Sequence, residues 1–284
     1  MIVSLLYVGW RLGFGEVRPG LFLVVVLTAI FAHVFAGTRE ALGVQGLRGE
    51  SMLADLRDRL RALGELPPLP GRWRAEVAVR AAGGSSFGGD FLVSILDAEG
   101  GELELVLVDV SGKGVDAGTR ALLLSGAFGG LIGAIPPEEF LSAANAYVLR
   151  QRWEERFATA VHVVVDLLTG SYVVESAGHP PAAHFEAGSG RWLLTEGDGT
   201  ALGLLPKAEY VTAHGVLGHG DALLLYTDGL IEAPGQDLTT GLDRLLGEAE
   251  RLVPRGFVGG ADRIVEATAA HGGDDRALVL LWRE

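Results

Sequence analysis

Glu102-Leu103-Glu104-Leu105-Val106-Leu107-Val108-Asp109-Val110-Ser111-Gly112-Lys113-Gly114 is the stretch from which the rest of the chain is read. An apolar run of strand length ends on a carboxylate, and glycines free the turn that follows. Ala222-Leu223-Leu224-Leu225-Tyr226-Thr227-Asp228-Gly229 repeats the arrangement. Gly88-Gly89-Asp90 opens a third apolar run at Phe91, and Gly272-Gly273-Asp274-Asp275 opens the last. Four strand ends therefore each present an acid beside glycine. Burying a carboxylate costs several kcal/mol unless it is paired or bound to a cation. Lys113 and Lys207 are the only lysines in the sequence, so a divalent cation is the economical partner.

Taken singly, Asp-Gly and Gly-Gly-Asp are ordinary turn sequences. Four of them at the ends of apolar strands point to a ligand set instead. Hard oxygen donors without His or Cys select Mg²⁺ or Mn²⁺ over zinc. Two such ions sharing a carboxylate would generate a bound hydroxide at neutral pH and neutralise a phosphoryl group, so the chemistry expected is phosphate-ester hydrolysis. Ser111-Gly112-Lys113-Gly114 is not a P-loop: that motif needs glycine where Leu107 stands and Ser or Thr where Gly114 stands.

The surrounding pattern alternates between short strands and helices. Strands are expected over Glu76 to Ala81, Phe91 to Leu96, Glu102 to Val110, Ala158 to Leu167, Ser171 to Ala177, Ala222 to Thr227 and Arg276 to Trp282. Helices are expected over Ala117 to Ile132, Pro137 to Trp153, Leu238 to Val253 and Val258 to His271. Strands in hairpin-like series with helices in pairs define an α+β class, with antiparallel sheets and helices outside. Trp153, Trp192 and Trp282 read as core residues. The 284 residues suffice for a sizeable core, and a net charge of −13 argues against a nucleic-acid partner. With no cysteine, disulfides, thiolate zinc sites and a cysteine nucleophile are excluded.

The first sixty-six residues have a different character. Residues 1–18 form an apolar N-terminal segment. Residues 19–38 carry no charge between Arg18 and Arg39 and suit a transmembrane helix, since twenty helical residues cover roughly 30 Å. Val34-Phe35-Ala36 also resembles a signal-peptidase site, the weaker alternative. A linker helix is expected over 39–66, where Leu53, Leu56, Leu60 and Leu63 form one apolar seam. That seam suits either packing on the adjacent domain or a homodimer. Leu66-Pro67-Pro68-Leu69-Pro70-Gly71 marks the boundary of a domain over 67–284.

Six ordered motifs carry a family resemblance: Gly88-Gly89-Asp90-Phe91, Asp109-Val110-Ser111-Gly112-Lys113-Gly114-Val115, Phe157-Ala158-Thr159-Ala160, Ala177-Gly178-His179-Pro180-Pro181, Tyr226-Thr227-Asp228-Gly229 with Glu232, and Asp274-Asp275. From about Pro70 to Glu284 the chain resembles the SpoIIE-like branch of the PPM, or type 2C, metal-dependent serine/threonine protein phosphatases. The resemblance implies a four-layer αββα sandwich with a dinuclear Mn²⁺ or Mg²⁺ centre in a cleft at one edge. It assigns Asp109 as the bridging ligand, with the Val110 carbonyl as a further ligand. Asp228 and Asp274 complete the shell of the second ion, Asp90 holds a metal-bound water, and Asp275 is able to exchange roles with Asp274. Asp109 and Asp228 are the catalytic candidates.

Two departures stand out. Val93 replaces a second aspartate of the first motif, and Ala277 replaces a threonine after the last acid pair. Ser111 occupies the place of a histidine proposed as general acid in animal relatives. His179 reads as a turn residue tethering the backbone, Lys113 as a phosphate contact or a helix cap, and Arg80 as a solvated strand residue. The expected activity is removal of phosphate from a protein serine or threonine. By the resemblance the substrate is an anti-sigma-factor antagonist in a partner-switching pathway, which places the domain on the cytoplasmic side of a single-pass anchor. The alternative is an inactive phosphatase fold that binds a phosphoprotein or regulator.

Overall fold

The computed structural model describes residues 64–82, 88–112, 114–153, 157–195, 199–233, 235–268 and 274–284. The expected segments at 1–18 and 19–38, and the linker helix up to residue 63, lie outside them. Residues 64–66 are a turn and irregular chain, so the linker helix does not reach 66; Leu66 precedes a proline, which disfavours helical backbone. Among the described residues no helix is long and apolar enough to cross a membrane.

Two five-stranded antiparallel sheets face each other. One has the order β1 (Trp73–Arg80), β10 (Arg276–Arg283), β9 (Ala222–Tyr226), β6 (Ala183–Glu186), β7 (Arg191–Leu194). The other runs β2 (Phe91–Leu96), β3 (Glu102–Val110), β4 (Ala158–Asp166), β5 (Ser171–Ala177), β8 (Thr212–Val216). Helices α1 (Gly114–Leu131) and α2 (Phe140–Arg150) cover the second sheet, and α3 (Leu238–Glu250) with α4 (Gly260–Thr268) covers the first. The helix expected over Pro137 to Trp153 is shorter: a 3-10 turn occupies Pro137–Glu139, and Arg152 takes a positive φ of 52° that a right-handed helix cannot hold. The helix expected from Leu238 ends at Glu250, because Pro254 directs Val253–Arg255 into a separate 3-10 turn.

Period-two alternation decides which side chains meet. From β3, Leu103, Leu105 and Leu107 enter the layer between the sheets, where they join Val161, Val163, Leu223, Leu225, Val279 and Leu281. Val106, Val108 and Val110 point the other way, against Leu124, Phe128 and Phe140 of the helices. On the first sheet Leu224, Tyr226, Leu278 and Leu280 pack against Leu245, Ile264 and Val265. Each fully buried leucine or valine contributes roughly 1.5–3 kcal/mol. Trp282 is buried, while Trp192 and Trp153 are partly buried against their helical layers.

A charged cluster interrupts the outer face of the second sheet. His162 Nε2 lies 2.9 Å from Glu104 Oε1, and its Nδ1 lies 3.6 Å from Glu175 Oε2. Phe140 stacks on the ring at 4.7 Å, and Glu104 also accepts the Gly133 N–H at 3.0 Å. Burial alone would lower the imidazole pKa; hydrogen bonds and charge from Glu104 and Glu175 outweigh it and raise the pKa above its ordinary value.

Leu105→Ala is expected to lower the unfolding free energy by about 2–5 kcal/mol, because Leu105 sits wholly buried between two rigid sheets. Urea unfolding checks this, and a loss below about 1 kcal/mol would show that the inter-sheet layer is not closely packed.

Candidate metal centre

Strand polarity brings the acids to one end of the sandwich. At that end β2 and β4 begin while β3 and β9 finish, and β10 begins beside β9. Asp109 continues the inward row of Leu103, Leu105 and Leu107, and its register partner across β4 is Thr159. Asp90 precedes β2 and is buried, with 8% exposure. Asp228 opens a 3-10 turn after β9, in which its carbonyl accepts the N–H groups of Ile231 at 2.8 Å and Glu232 at 2.7 Å. Asp274 and Asp275 lie at the entrance of β10.

Glycine permits these crossings. A Cβ on Gly89 would stand 2.5 Å from the Val110 carbonyl oxygen, and one on Gly229 would stand 1.9 Å from the Asp275 carbonyl oxygen. Both approaches exclude any side chain.

Thr227, which sequence reasoning passed over, is the hub between the sheets. Its fully buried hydroxyl donates to Asp90 Oδ2 at 2.7 Å and accepts the Ala277 N–H at 2.9 Å. Asp275 uses both oxygens as a clamp: Oδ1 accepts the Ala82 N–H at 2.7 Å and Oδ2 the Gly89 N–H at 2.6 Å. It thereby fixes the segment that carries Asp90. Asp274 Oδ1 accepts the Asp275 N–H at 3.0 Å. Beyond Val110, Ser111 pairs with Phe157: its N–H donates to the Phe157 carbonyl, and its Oγ accepts the Phe157 N–H at 3.1 Å. Arg120 donates to the Ser111 carbonyl at 3.0 Å and lies over the Trp153 ring.

The acids perturb one another strongly. Burial first, and then the charge of Asp109, raises the Asp90 pKa well above the carboxylate range. Burial and the charge of Asp228 push Asp109 up to about 7, and burial with the charges of Glu232 and Asp274 pushes Asp228 to about 6. Asp109 stands close enough to both Asp90 and Asp228 for their carboxyls to influence one another. None of these three makes an ion pair among the described residues. Among the described residues no three acidic or histidine groups already surround a common point. The donor set is hard and anionic, and it fits divalent cations with oxygen preference.

The remaining candidates divide. Val93 faces α1, where it joins Phe128, and so the departure there lies on the side of the sheet away from the acids. Ala277 faces inward, and its main chain binds Thr227. Arg80 pairs with Asp262 at the surface, 2.5 Å away, as a solvated strand residue. Lys113 lies outside the described residues.

Two antiparallel sheets between helix pairs, with acids at one edge of their interface, define the type 2C, or PPM, phosphatase fold. The chain belongs to the Stage II sporulation protein E (SpoIIE) family, whose sequence profile matches residues 99–284. It is 25% identical over 145 residues to the phosphoserine phosphatase RsbU of Bacillus subtilis, a match covering 51% of this chain and 43% of that one. The match thus spans less than half the length of that relative. The structure of the RsbU and RsbW domains of a Mycobacterium tuberculosis protein is 28% identical, with a TM-score of 0.66, covering 78% of this chain and 62% of that one. RsbX in complex with magnesium shares the fold at 17% identity, with a TM-score of 0.57 over 76% of this chain and 98% of that one.

Without metal, Asp109→Asn is expected to raise the melting temperature at pH 8, by about 2–4 °C per kcal/mol of repulsion relieved. A carboxyl whose folded pKa is raised stabilises the fold at low pH, and that contribution is lost as pH rises from about 4 through about 7. The variant should therefore show a shallower decline across this window. Thermal melts in EDTA at pH 5 and pH 8 check it; an unchanged or lowered melting temperature at pH 8 would contradict the repulsion.

Proposed function

We propose that the chain is a metal-dependent protein serine/threonine phosphatase. The observation that carries the reading is the convergence of Asp90, Asp109 and Asp228 at one end of the sandwich, near enough to raise one another's pKa and with no ion pair among the described residues. Membership of the SpoIIE family, the likeness to a phosphoserine phosphatase and the magnesium held by RsbX support it.

In this reading Asp109, the Val110 carbonyl, Asp228 and Asp274 would hold two ions, Mn²⁺ or Mg²⁺, with Asp109 as their shared ligand. Asp90 would hold water at the site, and Asp275 would stand ready to exchange roles with Asp274 while it fixes the Asp90 segment. The ions, when bound, neutralise a phosphoryl group and lower the pKa of water. The chain's own residues position and exclude. Thr227 orients Asp90, the Ser111–Phe157 pairing fixes the turn after Val110, and the inter-sheet leucines close the floor to solvent. The Ser111 hydroxyl oxygen accepts the Phe157 N–H, which fixes its place beside Val110.

The substrate proposed is a phosphorylated anti-sigma-factor antagonist in a partner-switching pathway, the setting implied by the resemblance to RsbU-type proteins. The same proposal anchors the chain through residues 19–38, with this domain on the cytoplasmic side and the linker helix joining two copies. Protease protection in spheroplasts tests the topology: the domain is expected to be cleaved only after lysis.

With Mn²⁺ present, phosphate release from a serine-phosphorylated antagonist is expected, and Asp109→Ala or Asp228→Ala should reduce it to background. Full activity in either variant would reject the assigned roles. Binding of the phosphoprotein without turnover by the unaltered chain would favour the non-catalytic binding module instead.

A further inference from the structure

Arg120 has no task in the mechanism above, yet it holds the turn that follows Val110. It lies on α1, and its guanidinium Nη2 donates to the Ser111 carbonyl at 3.0 Å. The same group rests over the Trp153 ring, its carbon 5.7 Å from the ring centre and within the range of cation–π attraction. Arg152, the one non-glycine residue with a positive φ among the described residues, turns the chain between α2 and that ring. Left-handed backbone is uncommon outside glycine, and here it directly precedes the indole on which the guanidinium lies.

Ser111 sits between two peptide units, and each has its own anchor. The upstream unit joins the Val110 carbonyl to the Ser111 N–H, which point to opposite sides of a trans peptide. That N–H donates to the Phe157 carbonyl at 3.1 Å, and the Val110 oxygen accordingly faces Gly89, where an added Cβ would stand 2.5 Å from it. The downstream unit carries the Ser111 carbonyl, which Arg120 binds. Beyond it Gly112 and Gly114 have φ of 111° and 69°, conformations open chiefly to glycine, so the chain that follows has little stiffness of its own. The arginine supplies the missing restraint, and the two anchors together leave Ser111 one backbone conformation.

We propose that Arg120, backed by Trp153, is a positioning residue: it fixes the Ser111 peptide, and thereby the direction of the Val110 carbonyl, for the binding of a divalent cation. The inference rests on the metal-dependent reading above. Arg120 acts one peptide away from the ligand and needs no contact with substrate. A planar guanidinium suits this task, since it donates in its plane while its face lies on the indole.

Amide hydrogen exchange by NMR in EDTA and Mn²⁺ titration calorimetry, both on the full chain, form the test. Arg120→Met removes the donors and the charge but keeps side-chain length and helix propensity. It is expected to speed exchange of the Ser111 N–H about 10-fold without metal, and to weaken Mn²⁺ binding roughly 10-fold. Trp153→Phe keeps a ring face and should hold Mn²⁺ affinity within about 2-fold, whereas Trp153→Leu should lower it about 3-fold. Adding Trp153→Leu to Arg120→Met should cost nothing further, because the arginine it supports is gone. Leu245→Ala, in the core beneath the other sheet's helices, controls for general destabilisation and should keep Mn²⁺ affinity within about 2-fold. With p-nitrophenyl phosphate at saturating Mn²⁺, Arg120→Met should keep the KM of the unaltered chain. A KM raised about 10-fold with unchanged Mn²⁺ affinity would make Arg120 a substrate contact and overturn the proposal. Unchanged exchange at Ser111, wild-type Mn²⁺ affinity in Arg120→Met, or equal losses in Trp153→Phe and Trp153→Leu would overturn it as well. An unaltered chain that binds no Mn²⁺ removes the metal reading, on which the exchange rates in EDTA do not depend, and the purpose of Arg120 with it.

Discussion

Carboxyl groups pressed together in a dry corner repel, and the functional end of this molecule depends on an interface stiff enough to hold them there. Two unit charges 4 Å apart interact by about 4 kcal/mol at an effective dielectric of 20, comparable to the burial of two leucines. The rows led by Leu103, Leu105 and Leu107 on one sheet and by Leu223 and Leu225 on the other supply many times that much contact. Asp109 is the next inward position of the first row, so the geometry of the apolar layer is handed directly to the acid. Burial and mutual charge raise the pKa of Asp90, Asp109 and Asp228, which couples proton release to cation uptake.

The order of events along the chain explains why so much of this was visible beforehand. An apolar strand such as Glu102–Val110 announces itself by length and β-branched content, and its bounds were read to the residue. The acids were legible because an aspartate beside glycine at the end of such a run is uncommon four times over. What escaped were short strands with weak alternation. Ala183–Glu186 and Arg191–Leu194 have four residues each, and Thr212–Val216 includes a glycine, so none offers a period long enough to recognise.

Partners escaped for a related reason. Nothing in Tyr226-Thr227-Asp228 separates a threonine that binds an acid 137 positions away from one that merely favours strand geometry. Glu104, His162 and Glu175 look like polar interruptions of three strands, and only the antiparallel register reveals that they adjoin beneath Phe140. The clamp formed by Asp275 was equally hidden: nothing local tells that its two oxygens accept the main-chain N–H groups of Ala82 and Gly89. Local pattern reports which residues are unusual, and topology alone reports whom they meet.

The passages of backbone at Gly89 and Gly229 have an evolutionary consequence. Neither spot admits so much as a methyl group, since Val110 and Asp275 already occupy the space it would fill. Diversification of this molecule is therefore barred from the inner crossings and channelled to the rim, where segments such as Gly203-Leu204-Leu205 are held by Asn145 while their apolar side chains stay open to solvent. Inheritance can rewrite which surface the cleft greets while the chain paths beneath the acids stay as they are.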